Sequence, residues 1–336
     1  NANGGNYIFL AIAANQDTTA PTKANSFETV LYSGDSNSST GQQVAVGFKP
    51  DLTWIKQRNI SGVRHLLTDS ITGPSIYAGA GRTLHTNETF SSNTYGEFMS
   101  FDNNGFTVRY WSGSQYFNTT GKNYVAWNWK GADHDRNLPS INKDGTIPSL
   151  VSANPEAGFS LVEYNNGGSF DQFGVGHGLN SAPQIIFQKS LSATGDWYVI
   201  TTAIDGSVDY LKLNTTVGKT DMSGSYANFQ LGNNNFTNWW SASNVINYCW
   251  HSVTGYSKID KYSGSGVSGK EVALDFNPSF VLIKRTDTSA GWIIIDDQRG
   301  TKELYAHLSN IEDTTTTAVV LGTNKFTLNT TGSWYN

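Results

Sequence analysis

Apolar residues fall in short runs rich in β-branched and aromatic side chains: QQVAVGF (42–48), DLTWIKQ (51–57), NYVAWNWK (123–130), QIIFQKS (184–190), SFVLIKR (279–285) and GWIIID (291–296). Gly, Pro, Asn and Ser bound these runs, which is the mark of strands separated by turns. No long window places apolar residues at i, i+3, i+4 and i+7, so amphipathic helices are not predicted. TKELYAHLSNIED (301–313) comes nearest to a helix, with two turns as its limit. Turn signals such as DNNG, GNNN and GTNK recur at the ~8–12-residue spacing of sandwiches and barrels.

The runs repeat. Pro50, Pro183 and Pro278 each open a strand, and Lys56, Lys189 and Lys284 follow them at one common spacing. Upstream lies a strand ending in Tyr and a Gly turn: FETVLYSG (27–34), FSLVEYNNG (159–167) and YSKIDKYSG (256–264). Downstream a loop leads to Phe106, Phe236 or Phe326. NYVAWNWK (123–130) and NVINYCWH (244–251) close the first two units, but the third unit has no such strand before Asn336. NYIFLAIA (6–13) matches it, with Tyr7 on Tyr124 and Ile12 on Trp129. The loop GSQYFNTTGKNY (113–124) also has the length of GSWYN (332–336) joined to NANGGNY (1–7).

The pattern predicts an all-β chain of three tandem β-sandwich (jelly-roll-like) repeats, the third completed by the N-terminal strand. The predicted parts are that strand (1–13), a linker (14–25), repeat 1 (26–132), a connector holding Pro139, Pro148 and Pro155 (133–156), repeat 2 (157–255) and repeat 3 (256–336). In the strand, Tyr7, Phe9, Ala11 and Ala13 share one face, and Ile8, Leu10 and Ile12 the other. The linker reaches roughly 43–47 Å when extended. Three sandwiches in a row would place the third some ~60–80 Å from the first. A row therefore predicts that the strand enters the third repeat of a neighbouring subunit, head to tail. Only a closed ring of domains would let it fold back.

Charged residues are 15% of the chain and aromatics 13%, with a net charge of −5. No basic block exists, which argues against a nucleic-acid partner. Cys249 is the single cysteine, so an intrachain disulfide and a thiolate metal cluster are excluded. No apolar run approaches the ~20 residues of a membrane helix. YIFLAIAA (7–14) is too short for one and lacks the basic flank of a signal peptide. The polar, charge-poor, aromatic-rich balance suits an extracellular or virion β-protein.

Candidate chemistry is sparse. The histidines are scattered, and His65 falls at the repeat position of Trp197 and Trp292, which reads as a packed strand residue. Neither a GxSxG elbow nor HExxH occurs. Asp133, Asp135 and Asp144 form a weak calcium candidate, set against the plainer reading of a solvated linker. Asp102 belongs to a hairpin turn. Asn87-Glu88-Thr89 and Asn214-Thr215-Thr216 read as chance triplets in an Asn/Thr-rich chain. Aromatic loops carry more signal: Trp111, Tyr116 and Phe117, then Trp239 and Trp240, then Trp334 and Tyr335. Such rings stack on sugars, anchor a partner or pack against a neighbouring repeat.

INKDGTIPSLVSANPEAGFSLVEYNNGG (141–168) and VGHGLNSAPQIIFQKS (175–190), with VGFKPDLTWIKQRN before them and NPSFVLIKRTDTSAGWIIID after, resemble a repeat domain of tail-fibre-like virion structural proteins of marine phages, notably cyanophages. GFTVRY and NYVAWNWKGA are similar to that family's closing strands. The resemblance implies a β-sandwich with a structural or adhesive role, no catalytic residues and no cofactor. The expectation is a non-enzymatic structural subunit of an extracellular polymer, a phage tail fibre or surface filament, assembled from copies of itself by β-strand complementation. The alternatives are a carbohydrate-binding adhesin facing a cell-surface glycan, and a segment of a giant tandem-repeat surface protein.

Overall fold

The computed structural model describes residues 4–13, 26–73, 82–91, 97–112, 116–132, 140–169, 171–222, 228–241 and 243–336. These form strands and turns, and the chain is all-β. β1 (Asn6–Ile12) precedes β2 (Phe27–Ser33), β3 (Gln42–Ala45), β4 (Leu52–Gln57), β5 (Leu66–Asp69), β6 (Phe98–Asp102), β7 (Gly105–Val108) and β8 (Asn123–Trp129). β9 (Ser140–Asn142) and β10 (Ser149–Asn154) lead into β11 (Phe159–Asn165), β12 (Gly174–Gly176), β13 (Ile185–Ser190), β14 (Tyr198–Thr201), β15 (Asp209–Lys212), β16 (Thr220–Asp221), β17 (Asn235–Thr237) and β18 (Asn244–Trp250). The last group is β19 (Ser257–Ser263), β20 (Lys270–Ala273), β21 (Phe280–Arg285), β22 (Trp292–Asp296), β23 (Leu304–Tyr305), β24 (Val319–Gly322) and β25 (Lys325–Leu328).

Three antiparallel sheets share one strand order: β2-β8-β4-β5, β11-β18-β13-β14 and β19-β1-β21-β22. They also share one register. Phe27, Phe159 and Ser257 pair with Trp129, Trp250 and Ile12, which pair on their other side with Leu52, Ile185 and Phe280. β1 thus stands in the third sheet where β8 and β18 stand in the others. A smaller sheet covers one face of each: β3-β7-β6, β12-β17 and β20-β25-β24.

Alternation along each strand divides the apolar side chains between two kinds of core. Tyr7, Phe9, Ala11 and Ala13 fill the space between the third sheet and its cover. Ile8, Leu10 and Ile12 join Trp54, Trp127, Phe187, Tyr248 and Leu282 in one central core built by all three sheets. The repeats therefore surround a common centre. This corrects the expectation of a strand donated to a neighbouring subunit: β1 lies between β19 and β21 of its own chain. A row would have put that slot out of reach, whereas a ring brings it beside the first repeat.

Burying polar groups in such a core requires partners, and one set recurs at each junction. The Trp197 indole donates to the His85 carbonyl (2.8 Å), and the Trp292 indole to the Lys212 carbonyl (2.9 Å). His65 holds the same place at the third junction. Its Nδ1 accepts from the Trp54 indole, so Nε2 carries the proton, directed at the Tyr305 carbonyl 3.0 Å away. Burial holds the His65 imidazole neutral, pushing its pKa well down. Each repeat in this way grips the one before it, and the first grips the third.

A second layer does the same with carboxylates. Tyr248 donates to Asp69 across the junction (2.7 Å), and Trp127 to Asp296 (2.9 Å). At the third position Leu10 replaces the donor and Thr201 the acid. Thr201 Oγ1 turns to the Gln184 carbonyl instead (2.7 Å). Donor and acceptor change together, which avoids an orphaned buried group. The seam between third and first repeats carries an ionic chain. Arg299, itself fully buried, bonds Asp296 (2.6 Å) and Glu312 (3.2 Å), and Arg58 closes on Glu312 (2.9 Å).

Two further expectations change. Residues 301–313 form β23 and turns, not a helix, because β23 pairs with β22 while Leu304 and Ala306 enter the central core. The connector at 133–156 is not a plain spacer. β10 adds to the free edge of β11, and β9 adds to β10.

If β1 serves its own chain, Leu10→Ala lowers stability by about 2–5 kcal/mol. The denaturation midpoint of both proteins then stays constant over a wide range of protein concentration, as expected when no subunit exchange is linked to folding. Chemical denaturation at several concentrations checks this.

Candidate functional site

Lys56, Lys189 and Lys284 occupy one register position, opposite Val125, Ile246 and Ile8. All three are fully buried. Lys189 Nζ donates to the Thr89 carbonyl (2.9 Å) and to that of Gly195. Lys284 reaches the Thr216 and Arg285 carbonyls (3.2 and 2.6 Å), and Lys56 that of Gln57 (2.8 Å). Burial pushes each amine down to about 8. A lysine so shifted is a good nucleophile where a carbonyl compound can reach it. Here no atom is accessible, and two of the three tie one repeat to the backbone of the last. Their geometry is that of a joint.

Two of the N-x-T asparagines, Asn87 and Asn214, belong to the same joint. Asn87 Oδ1 accepts the His65 N–H (3.0 Å) and Asn214 Oδ1 the Trp197 N–H (2.9 Å). His307 Nδ1 plays that part for Trp292 (3.2 Å), its ring held neutral because burial pushes its pKa to about 4. The triplets thus mark a repeated structural cap.

The aromatic loops separate into two classes. Trp239 is buried, packing on Tyr198 and Tyr210 at 4.7 and 5.5 Å between ring centroids. Trp240 lies half-buried on Tyr198 at 5.0 Å and against Gly195, where a Cβ would come within 2.9 Å of the indole. Tyr335 is buried and donates to Glu303 (2.6 Å). Tyr116 is half-buried against the first sandwich core, which Phe117 enters. Trp111 and Trp334 remain outside, 47% and 39% exposed, and Trp334 meets Tyr305 edge-on at 6.2 Å. Phe90 is 42% exposed, with Arg64 5.2 Å above its ring. Nothing in the polar run NETFSS singled it out.

Asp133 and Asp135 lie outside the described residues. Asp144 is engaged with Asn142, whose amide reaches it at 2.9 Å and accepts its N–H at 2.8 Å. Among the described residues no group of three His, Cys, Asp or Glu side chains is placed to hold a metal ion.

Recesses lie at three places among the described residues. An apolar cleft of about 330 Å³ lies beside β9 and β10, lined by Ile141, Leu150 and Tyr164. A void of about 10 Å³ sits among Leu10, Trp54, Phe187 and Leu282 where the repeats meet. It is at the lower limit for a single water and offers no polar partner for one. Another, about 600 Å³, is a polar groove along β19, bounded by Gln184, Ser252, Ala273 and Asp275.

A model of the DUF7483 family, a domain of unknown function, matches residues 22–333, and the chain belongs to that family. No curated protein and no solved structure matches it. Among the described residues no helix is long and apolar enough to cross a membrane.

The buried lysines set a pH dependence. In the unfolded chain a lysine keeps its proton to about 10.4, while the folded amines lose theirs near 8. Between these values the unfolded state binds more protons, so stability rises with pH. The rise ends near pH 10, where exposed tyrosines ionise in the unfolded chain while burial keeps Tyr248 and Tyr262 protonated. Lys284→Met removes one contribution. Relative to this variant, the wild type gains about 1–2 kcal/mol between pH 7 and 9.5, measured by urea denaturation at both values.

Proposed function

We propose that this member of the DUF7483 family is a non-enzymatic structural subunit of an extracellular assembly, a phage tail fibre or surface filament, built from three copies of one β-sandwich unit. The observation that carries the reading is where the interior polar groups go. His65, Lys189, Trp197, Lys284, Trp292 and Asp296 all engage groups across repeat junctions. A protein that must act as a rigid block spends its buried donors in this way. The sequence resemblance to virion fibre repeats supports the same reading. Donor-strand assembly is not part of it, because β1 fills its slot from within.

The second reading, a carbohydrate-binding adhesin, draws on the exposed faces of Trp111 and Trp334. Flat exposed rings of this kind suit stacking on sugars.

Antibody raised against the chain is expected to label fibres of particles or cells that carry it, under electron microscopy. A hydrolase screen of the purified protein on polysaccharides and esters is expected to show no turnover. Turnover abolished by replacing one Asp or Glu would refute the structural reading. Glycan-array binding that Trp111→Ala or Trp334→Ala weakens about tenfold would replace it with the adhesin.

A further inference from the structure

The groove along β19 has an exact counterpart in the second repeat, and there it is filled. β10 runs antiparallel to β11 from Ser149↔Tyr164 to Asn154↔Phe159. Its walls are specific. Ser152 Oγ bonds Asp51 (3.1 Å) in the first repeat, and Ser149 Oγ bonds the Gly176 carbonyl (2.7 Å) in the covering sheet. Val151 and Ala153 lie over Gly178, where a Cβ would stand 3.1 Å from each.

Each wall has its equivalent in the third repeat. Gln184 follows Pro183 as Asp51 follows Pro50. β19 stands for β11. The pairs Val175↔Phe236 and Val272↔Phe326 align Gly176–Gly178 with Ala273–Asp275. Gln184, Ala273 and Asp275 all line the 600 Å³ groove. The difference lies in the chain that enters. The second repeat is entered through residues 130–158, long enough to go out along β9 and return along β10. The third is entered through a tight turn in which Val253 and Ser257 exchange backbone hydrogen bonds (3.0 and 2.8 Å). That turn is too short to supply a strand, and among the described residues nothing fills the groove.

The edge of β19 shows provisional partners. Ladder alternation turns the N–H groups of Ile259 and Lys261 away from β1. Ser252 Oγ takes the first (2.9 Å) and Asp260 Oδ1 the second (2.8 Å). In the second repeat the equivalent residues, Leu161 and Glu163, pair with Ser152 and Leu150 of β10. Small side chains thus hold the donors that a strand would take, and an incoming backbone can displace them.

We propose that this groove is a binding site for an extended segment of a separate polypeptide, added antiparallel to β19 as a further strand. The backbone edge supplies the hydrogen bonds, as in strand-addition recognition generally. The filled counterpart sets the occupant's chemistry: an uncharged strand with small residues on the face toward the covering sheet, like Ser149, Val151 and Ala153. Ala273 and Asp275 replace glycines there, so Gly, Ala or Ser suit this face best. Gln184 in place of Asp51 favours a neutral polar residue on the other face.

The probe is a fluorescein-labelled peptide of residues 148–155, PSLVSANP, titrated to millimolar concentration into the full chain and followed by anisotropy. Saturable binding is expected. Ala273→Trp, which fills the groove from an exposed position, and Lys261→Pro, which deletes an edge N–H at a site proline tolerates, should each weaken it by about tenfold or more. Unfolding midpoints matching the wild type verify that both variants fold. Absence of saturable binding, or binding that survives both changes, overturns the proposal. Self-association in sedimentation experiments that Ala273→Trp abolishes would assign the groove to a second copy of the chain, and likewise overturns it. None of these readouts depends on whether the assembly is a fibre, so failure here leaves the structural reading to its own test.

Discussion

The structure depends on where three buried ring N–H groups are anchored across the junctions between sheets, while the indole N–H groups of Trp129 and Trp250, in the same core, meet no acceptor. Trp197, Trp292 and His65 find theirs in the backbone carbonyls of His85, Lys212 and Tyr305, each in a different repeat from the donor. Backbone carbonyls are held in place by the covalent chain and its strand pairing. Such a bond therefore fixes the angle between repeats as well as their contact. Three of them in the same sense close a ring, and an unsatisfied group at any one would cost about 1–3 kcal/mol.

The lysines extend the same logic. A buried ammonium is costly, yet Lys189 and Lys284 reach across to Thr89 and Thr216, four residues beyond the His85 and Lys212 carbonyls that the indoles use. Charge and ring together clamp one short segment of the preceding repeat. At the seam between the third and first repeats the clamp is weaker in this respect, since Lys56 stays with its own strand at Gln57. The Arg58–Glu312–Arg299–Asp296 chain lies at that seam. Removing one member of a buried ionic set typically costs about 3–5 kcal/mol. The seam where the first and third repeats meet is thus secured by an ion pair, Arg58 to Glu312, rather than by a lysine on a backbone carbonyl.

Departures from threefold equivalence are where this molecule has room for function. At the central positions donor and acceptor change together, Leu10 standing for Trp127 or Tyr248 where Thr201 stands for Asp296 or Asp69. The edge strands vary grossly. β11 is extended by two strands, while β19 is left with a groove and only short side chains on its donors. Core equivalence is enforced by packing around one centre. Edges carry no such requirement, so repeats of one fold can differ there without loss of the ring.

The strands were legible in the sequence because alternation and turn residues are local properties of the chain. The proline-to-lysine spacing located one register position in three sheets, and the two faces of NYIFLAIA could be assigned from period two alone. The match of Tyr7 to Tyr124 pointed to the vacancy beside β19. Whose vacancy it was could not be read in this way, because reach depends on the angle between repeats. That angle is set by Trp127, Tyr248 and Leu10 packing from three sheets at once, a contact among residues far apart in sequence. The aromatic loops were ambiguous for the same reason. Trp239 and Trp334 have similar surroundings in the sequence, yet only packing against Tyr198 and Tyr210 buries the first, while the second stays exposed. Local chemistry determined the elements and their faces; the closure of the ring, decided by side chains meeting at its centre, determined what each face meets.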